Sequence, residues 1–342
     1  MTLLDTLVQH HVITDHFDHT NLESELTEKY EYFYDKFERL FTEKASIFNL
    51  KDCVFYIRND INCNAFATNP KGYNIIGITH GYAIRMMEIF SAAQLSSMVE
   101  NGLFSFDTSM LSSYEKIIKS GTLKIHEFML ECSIYFTLGH EFQHILQFNS
   151  SKIARHYHYS ENASSAQFDF QKHLWEFDAD RFGAYDMIRY VFSISRNFID
   201  RDVDKVLVSF GLGSVFISKI LFYLKVVNPN ERPELQPFYT KEKSHPHPLV
   251  RIMNIIEYYY DNLMGAFPTL ELQLQDLLNI SLWIVKKYLD ILIPEQTLIN
   301  QIFDKLHLHL EDINLYNQEL FGNAILDKSV RELLLARRIN FE

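Results

Sequence analysis

LGHEFQHILQF, residues 138–148, sets His140 and His144 four apart, with Glu141 directly after the first histidine, inside an apolar run. The helix-forming pattern around it runs from about His126 through Phe148. Residues four apart on an α-helix are offset by only about 40° around the axis, so both imidazoles project from one face and can share one ion. Neutral imidazoles at this spacing suit Zn²⁺, and Glu141 is placed to reach a water on the metal and not the metal itself. This is the HExxH arrangement. The competing reading is two core histidines beside a chance glutamate, in a chain with 15 His. The two readings part on whether the rest of the chain supplies the other pieces of a metal site.

A catalytic zinc needs a third protein ligand and an open fourth position. The metzincin pattern would put Gly and His three and six residues after the second histidine, where this chain has Gln147 and Ser150. A later helix offers an alternative: WEFDADRFGAYDMI, residues 175–188, carries Glu176 and Asp180 on one face, within an aromatic and alanine-containing segment that reads as buried. Buried carboxylates need a partner. With Glu176 on the metal, Asp180 is free to accept the other ring N–H of His140 and fix its tautomer. Against this stands a solvated acidic face shared with Asp178 and Arg181. His156, His158 and His173 are rival ligands by position, but none has a paired carboxylate at helical spacing.

Composition bounds what surrounds this motif. The chain has 342 residues, 47% of them hydrophobic and 14% aromatic, enough for one large core or two tightly joined ones. A net charge of −12 and pI near 5.7 argue against nucleic acid or an anionic lipid surface as partner. Three cysteines, Cys53, Cys63 and Cys132, form no CxxC pair and leave an odd number, which fits a reducing compartment, the cytoplasm. Cys132 shares the predicted helix with His140 and reads as a small buried side chain. The N-terminus lacks the basic start of a secretory signal. VLVSFGLGSVFISKILFYLKVV, residues 206–227, approaches membrane-spanning length, but Lys219 and Lys225 interrupt it, so a buried helix and no membrane span is expected.

Only 11 Gly and 8 Pro, together with long 3.6-period segments such as NLESELTEKYEYFYDKFERLF (21–41) and LQLQDLLNISLWIVKKYLDILI (272–293), predict a mostly helical chain. Between Asp52 and Thr79 the pattern changes to runs rich in Val, Ile, Phe and Tyr, with NPKG (69–72) as a turn. Three strands are expected, near Val54–Arg58, Asn64–Thr68 and Tyr73–Thr79. The fold class is therefore α+β: a small three-stranded sheet, the HExxH helix and extra helices. The chain divides into an N-terminal helical segment (1–50), a core (51–260) and a C-terminal helical region packed on the core (261–342). Gln94–Ser113 looks less regular than its neighbours and is a candidate mobile cover for the site.

HEFQH followed by EFDADRFGA resembles the gluzincin peptidases of the CAAX-prenyl-protease and HtpX type, whose third zinc ligand sits in an ExxxD helix. NAFATNPKGYNIIGITHG (64–81) is similar to that family's Asn-Ala-Phe-Ala strand, turn, apolar strand and helix-starting Gly. SHPHPLVRI (244–252) is similar to its His-Pro motif, with an arginine six residues after the histidine, here His245 and Arg251. The four segments stand in the family's order. Without the transmembrane helices of the membrane peptidases, the chain is more similar to a soluble branch, the Lit-type phage-exclusion peptidases. The first 50 residues and the last 80 or so lie outside the resemblance.

The resemblance implies a zincin core of the minigluzincin kind holding one Zn²⁺ on His140, His144 and Glu176, with Glu141 as general base. It implies a supporting catalytic role for His245, with His247 beside it as a rival, and a bracing role for Asp180 and for Arg251. Asn64, Ala65, Phe66 and Ala67 would form an edge strand on which an extended peptide adds. The implied function is a soluble zinc endopeptidase acting on an intracellular protein, in phage defence or a regulated proteolytic response, with an activating or inhibiting protein as further partner. The competing class is a zinc-stabilised binding or inhibitor protein without turnover, which has no need of Glu141. A metal-free helical scaffold would make all four segments coincidental.

Overall fold

The three apolar runs after Asp52 pair as a mixed sheet in this computed structural model, which describes residues 2–105, 107–150, 158–160, 167–223, 235–292 and 297–327. β1 (Cys53–Arg58) and β2 (Ala65–Thr68) flank β3 (Asn74–Thr79), the first parallel and the second antiparallel to it. Each expected strand is found within one residue of its predicted start. A fourth, β4 (His158–Ser160), pairs antiparallel with β2 and gives the order β1-β3-β2-β4. Side chains alternate between two buried faces, as strand geometry requires. Phe55, Ile57, Ala65, Ala67, Ile76 and Ile78 join the main core, whereas Val54, Tyr56, Phe66 and Ile75 form a smaller cluster with Leu7, Val12 and Ile13. That smaller cluster lies under α1 (Leu3–Gln9), and the Phe17 amide donates to the Ile57 carbonyl at 2.8 Å beside the outer edge of β1.

Helices supply the rest of the mostly helical chain. α2 (Ser24–Ile47) buries Tyr30, Phe33, Phe37, Leu40 and Phe41, a stripe at helical spacing, and Phe37 stacks on Phe55 of the sheet with ring centroids 5.2 Å apart. α3 (His80–Ile89) follows β3 directly, with the Thr79 side chain capping its start. Gln94–Ser113 is more regular than its composition suggested: α4 (Ala92–Glu100) and α5 (Thr108–Ser120) fill most of it. The Ser91 and Asp107 side chains start these two helices by accepting from backbone amides. Their main packing partners are the later helices α8 (Val203–Tyr223) and α10 (Leu274–Leu292).

α6 (Ile125–Ser150) is the HExxH helix, and its burial on nearly all sides makes it the axis of the core. It packs against β2, β3, α2, α8 and, most extensively, α7 (Phe170–Ser195). Ala65 and Ala67 keep the inner face of β2 shallow, which lets α6 approach the strand. The α6–α7 crossing is closer still. An added Cβ on Gly183 would fall 2.7 Å from the Phe136 carbonyl oxygen, and one on Gly139 would fall 3.0 Å from Gly183 Cα. Only glycine at these two positions lets the backbones meet, and Gly139 immediately precedes His140.

α8 covers the other side of α6, so the long apolar stretch that begins at Val206 is a core helix. Among the described residues no helix is long and apolar enough to cross a membrane. α9 (Pro248–Ala266) packs on α7, and beyond it lie α11 (Thr297–Leu308) and α12 (Leu310–Leu326). Arg181, which the competing reading places on a solvated face, sets its guanidinium over Phe177, Tyr258 and Phe321 and donates from Nε to Asn254 Oδ1 at 2.8 Å. Through it α7 holds both α9 and α12.

Candidate metal centre

α6 and α7 bring His140, His144 and Glu176 to one point, each no more than 4% exposed. The two Nε2 atoms lie 3.1 Å apart. Glu176 closes the triangle, with Oε2 3.5 Å from His140 Nε2 and Oε1 3.6 Å from His144 Nε2. Four-coordinate zinc with bonds of about 2.0–2.2 Å has ligand–ligand edges of about 3.3–3.6 Å. The triangle has nearly that size. A buried group of these three residues can hold a metal ion. His173 is not among them, and the side chains of His156 and His158 fall outside the described residues.

The hydrogen bonds behind the histidines decide which nitrogen faces the site. His144 Nδ1 lies 2.8 Å from Gln147 Oε1. The amide group of Gln147 is oriented by its own acceptors, the Trp175 carbonyl at 3.0 Å and Asp178 Oδ2 at 3.3 Å, so its oxygen must receive the imidazole N–H. His140 Nδ1 is 3.1 Å from Asp180 Oδ1, which likewise places the ring hydrogen away from the centre. Both Nε2 lone pairs therefore converge. Burial, the largest influence, pushes His144 down to about 4. Two imidazole Nε2 atoms 3.1 Å apart beside a carboxylate are a donor set that suits a cation.

Arg251 holds the carboxylates. It donates from Nε to Asp180 Oδ2 at 2.8 Å and from Nη2 to Asp180 Oδ1 at 2.7 Å, a paired contact, and Nη2 also lies 3.0 Å from Glu176 Oε2. Burial alone would raise both carboxyls. Burial is the largest single influence, and at Glu176 it is overcome only by Arg251, His144, His140 and His245 together, which hold that group down at about 2. Asp180 is lowered as well, against burial, by Arg251 and by contact with His140. Lys219 adds a further positive charge, its Nζ 3.9 Å from Asp180 Oδ1 and over the Phe136 ring. The charge that interrupts the apolar α8 thus faces the site.

His245 and His247 separate clearly. His245 Nε2 is 3.5 Å from Glu176 Oε1, and its side chain, 12% exposed, is the most accessible of the group. Ser244 Oγ lies 3.1 Å from its Nδ1. His247 faces elsewhere: its Nδ1 accepts from the Leu249 amide at 3.1 Å as the N-cap of α9, with Pro248 in the first turn and Phe238 and Tyr239 against its ring. Glu141 is 1% exposed on the ligand-bearing helix.

The strand assigned to substrate needs one correction. Asn64 precedes β2, its amide bonded to Thr79 Oγ1 at 2.9 Å, and the outer side of β2 is not an open edge. β4 pairs there, with Thr68 opposite His158 and Phe66 opposite Ser160. Ala65 and Ala67 point into the main core and Phe66 into the cluster under α1, and the backbone of Phe66–Thr68 pairs with β3 on one side and β4 on the other.

Gln147, Lys219 and the glycine pair at the α6–α7 crossing were not foreseen as parts of the centre. The signal for each was a residue that is costly where it stands: an amide or ammonium in an apolar helix, or glycine in a helix interior. Asp178, which only the competing reading placed in solvent, is buried and accepts from Gln143 Nε2 as well as from Gln147. No protein-family model, no curated protein and no solved structure matches the chain, so its function has to be argued from this centre.

Proposed function

We propose that the chain is a zinc-dependent endopeptidase of the gluzincin kind, acting on a protein or peptide substrate. The observation that carries the reading is the convergence of the His140 and His144 Nε2 atoms and Glu176, each residue backed by its own buried hydrogen-bond partner, with Glu141 next to the first histidine on the same helix. When bound, zinc would supply Lewis-acid chemistry, lowering the pKa of water and polarising the scissile carbonyl. Glu141 takes the proton of the attacking water and returns it to the leaving amine, one carboxylate serving both steps. His245, the most exposed member of the group, stabilises the developing oxyanion. Arg251 and Asp180 keep Glu176 and His140 in their charged and tautomeric forms. A cytoplasmic location, an intracellular substrate and a part in phage defence or regulated proteolysis belong to the same reading, supported by the resemblance of HEFQH, EFDAD and SHPHPLVRI to Lit-type peptidases.

One observation favours the second reading, a zinc-stabilised binding or inhibitor protein without turnover: β4 already pairs with the side of β2 where an extended substrate would add. The test is mass-spectrometric mapping of new protein N-termini in a cell extract, comparing wild type with Glu141→Gln at equal zinc content. New termini made only by the wild type are expected. Equal maps with zinc in both proteins would favour the binding protein.

A further inference from the structure

The C-terminal helices lie outside the four segments that build the centre, yet they reach it through one histidine. His173 sits one turn before Glu176 on α7 and is fully buried. Its Nε2 is 2.8 Å from the Lys243 carbonyl oxygen. A carbonyl only accepts, so Nε2 carries the hydrogen. Burial lowers this imidazole to about 4 and keeps it neutral, which leaves Nδ1 bare. Tyr316 Oη of α12 lies 2.7 Å from that nitrogen and donates to it. Every donor and acceptor direction in this relay is therefore fixed. It ends on the carbonyl two residues before His245.

The rest of that loop is fastened to the same helices. Lys305 Nζ donates to the Gln236 carbonyl at 2.9 Å, Lys241 pairs with Glu319 at 2.7 Å, and the His309 ring stacks on Phe238 at 4.2 Å. These contacts anchor its beginning and middle. The His173 relay ties its last residues to the helix that carries Glu176, and so relates the His245 backbone to the ligand carboxylate. Without it the 3.5 Å separation of His245 Nε2 from Glu176 Oε1 loses a backbone constraint two residues away.

We propose that Tyr316 and His173 are positioning residues for His245, so that α12 sets where this imidazole stands beside Glu176. The proposal rests on reading His245 as a member of the site, but its test needs no turnover. The full zinc-loaded chain, labelled with ¹⁵N-histidine, is followed by NMR, with the His245 signals assigned from a His245→Asn variant. Tyr316→Phe, which removes one oxygen, and His173→Leu, which removes the donor to Lys243, should each shift the His245 ring signals while zinc content stays at one ion per chain. His173→Gln, whose side-chain amide can still donate to the Lys243 carbonyl, should return them toward wild type. His245 signals coincident with wild type in Tyr316→Phe and His173→Leu would overturn the proposal, whatever happens to thermal stability. If His173→Leu fails to fold, Tyr316→Phe and His173→Gln decide. A protein that shows these shifts but cleaves nothing would refute the peptidase and leave the relay standing.

Discussion

Replacing Gly183 with alanine tests whether the α6–α7 crossing sets the geometry of the ligand group. The new Cβ would fall 2.7 Å from the Phe136 carbonyl oxygen and 3.1 Å from its ring. Carbon–oxygen contacts normally begin at about 3.3 Å, so the approach is short by about 0.6 Å. A ring can rotate, but a helical carbonyl is held by its own hydrogen bond, and relief has to come from parting the helices. Phe136 is one turn before His140, and Gly183 follows Asp180 by three residues, so the separation acts on both halves of the centre. Metal sites tolerate about 0.2 Å in ligand distance. Zinc affinity should fall about 10- to 100-fold, the usual loss when the support of a ligand is disturbed. Overpacking costs about 1–3 kcal/mol, and the helix preference of alanine returns about 0.5–1, for a net loss of about 0–2.5 kcal/mol.

Gly322 is the internal control. It lies in α12 with nothing within 4 Å of an added Cβ, so Gly322→Ala should stabilise by about 0.5–1 kcal/mol and leave zinc binding unchanged. Zinc affinity would be read by competition with a chromophoric chelator, and stability by denaturant melts of wild type and both variants. The same chemical change should then act with opposite sign at the two sites. If Gly183→Ala matches Gly322→Ala in both assays, the crossing does not set the geometry.

Glu176→Ala should abolish stoichiometric zinc binding, whereas His173→Ala should keep it and lose about 1–3 kcal/mol of stability through its two orphaned partners; elemental analysis showing the reverse would name the wrong third ligand. Arg251→Met should cost about 3–5 kcal/mol by leaving two buried carboxylates short of their cation, and Arg251→Lys should not restore it, because an ammonium lacks the paired N–H groups. A lysine variant as stable as wild type would sink that account. His247, pushed down to about 3 chiefly by burial, gives a pH prediction. Its folded pKa lies below the unfolded value of about 6.5, so from there downward the unfolded state binds more protons, and stability falls by about 1.4 kcal/mol per pH unit until the folded pKa is reached. His247→Asn keeps an N-cap acceptor but cannot titrate, so the stability gap between wild type and variant should narrow as pH falls from 7 to 4. A gap independent of pH would mean that His247 is not held neutral.

The parts legible in the sequence were those with a period. Tyr30, Phe33, Phe37 and Leu40 recur at helical spacing and are buried, and the three strands were legible from their Val, Ile, Phe and Tyr runs and the NPKG turn. HEFQH and EFDAD were readable for the same reason: a four-residue step puts both members on one face whatever lies around them, so His140 could be matched to Asp180 without knowing how the helices cross. β4 was not legible. Three residues are too few to show alternation, and their pairing with Thr68 depends on where the chain returns after α6. Gln94–Ser113 looks irregular in the sequence because its helices are short and interspersed with Ser, Asn and Gly, and their starts at Ser91 and Asp107 are legible only as N-cap residues.

The remaining gaps share a physical form. Lys219 was weighed only as an argument against a membrane span, and Gln147 only as a departure from the metzincin pattern. Both stand in helices that are buried on nearly every side, where a polar group without a partner costs several kcal/mol. Each was therefore bound to face something polar, and spacing within its own helix could not say what. Lys219 faces Asp180, and Gln147 faces His144 on one side and Asp178 on the other. A polar residue that interrupts an apolar helix thus marks the line along which that helix meets the centre. Gly139 and Gly183 carry the same kind of signal, since each accepts the cost of glycine in a helix interior to let two backbones touch. In this chain the residues that looked out of place in their helices were the ones holding the ligands in register.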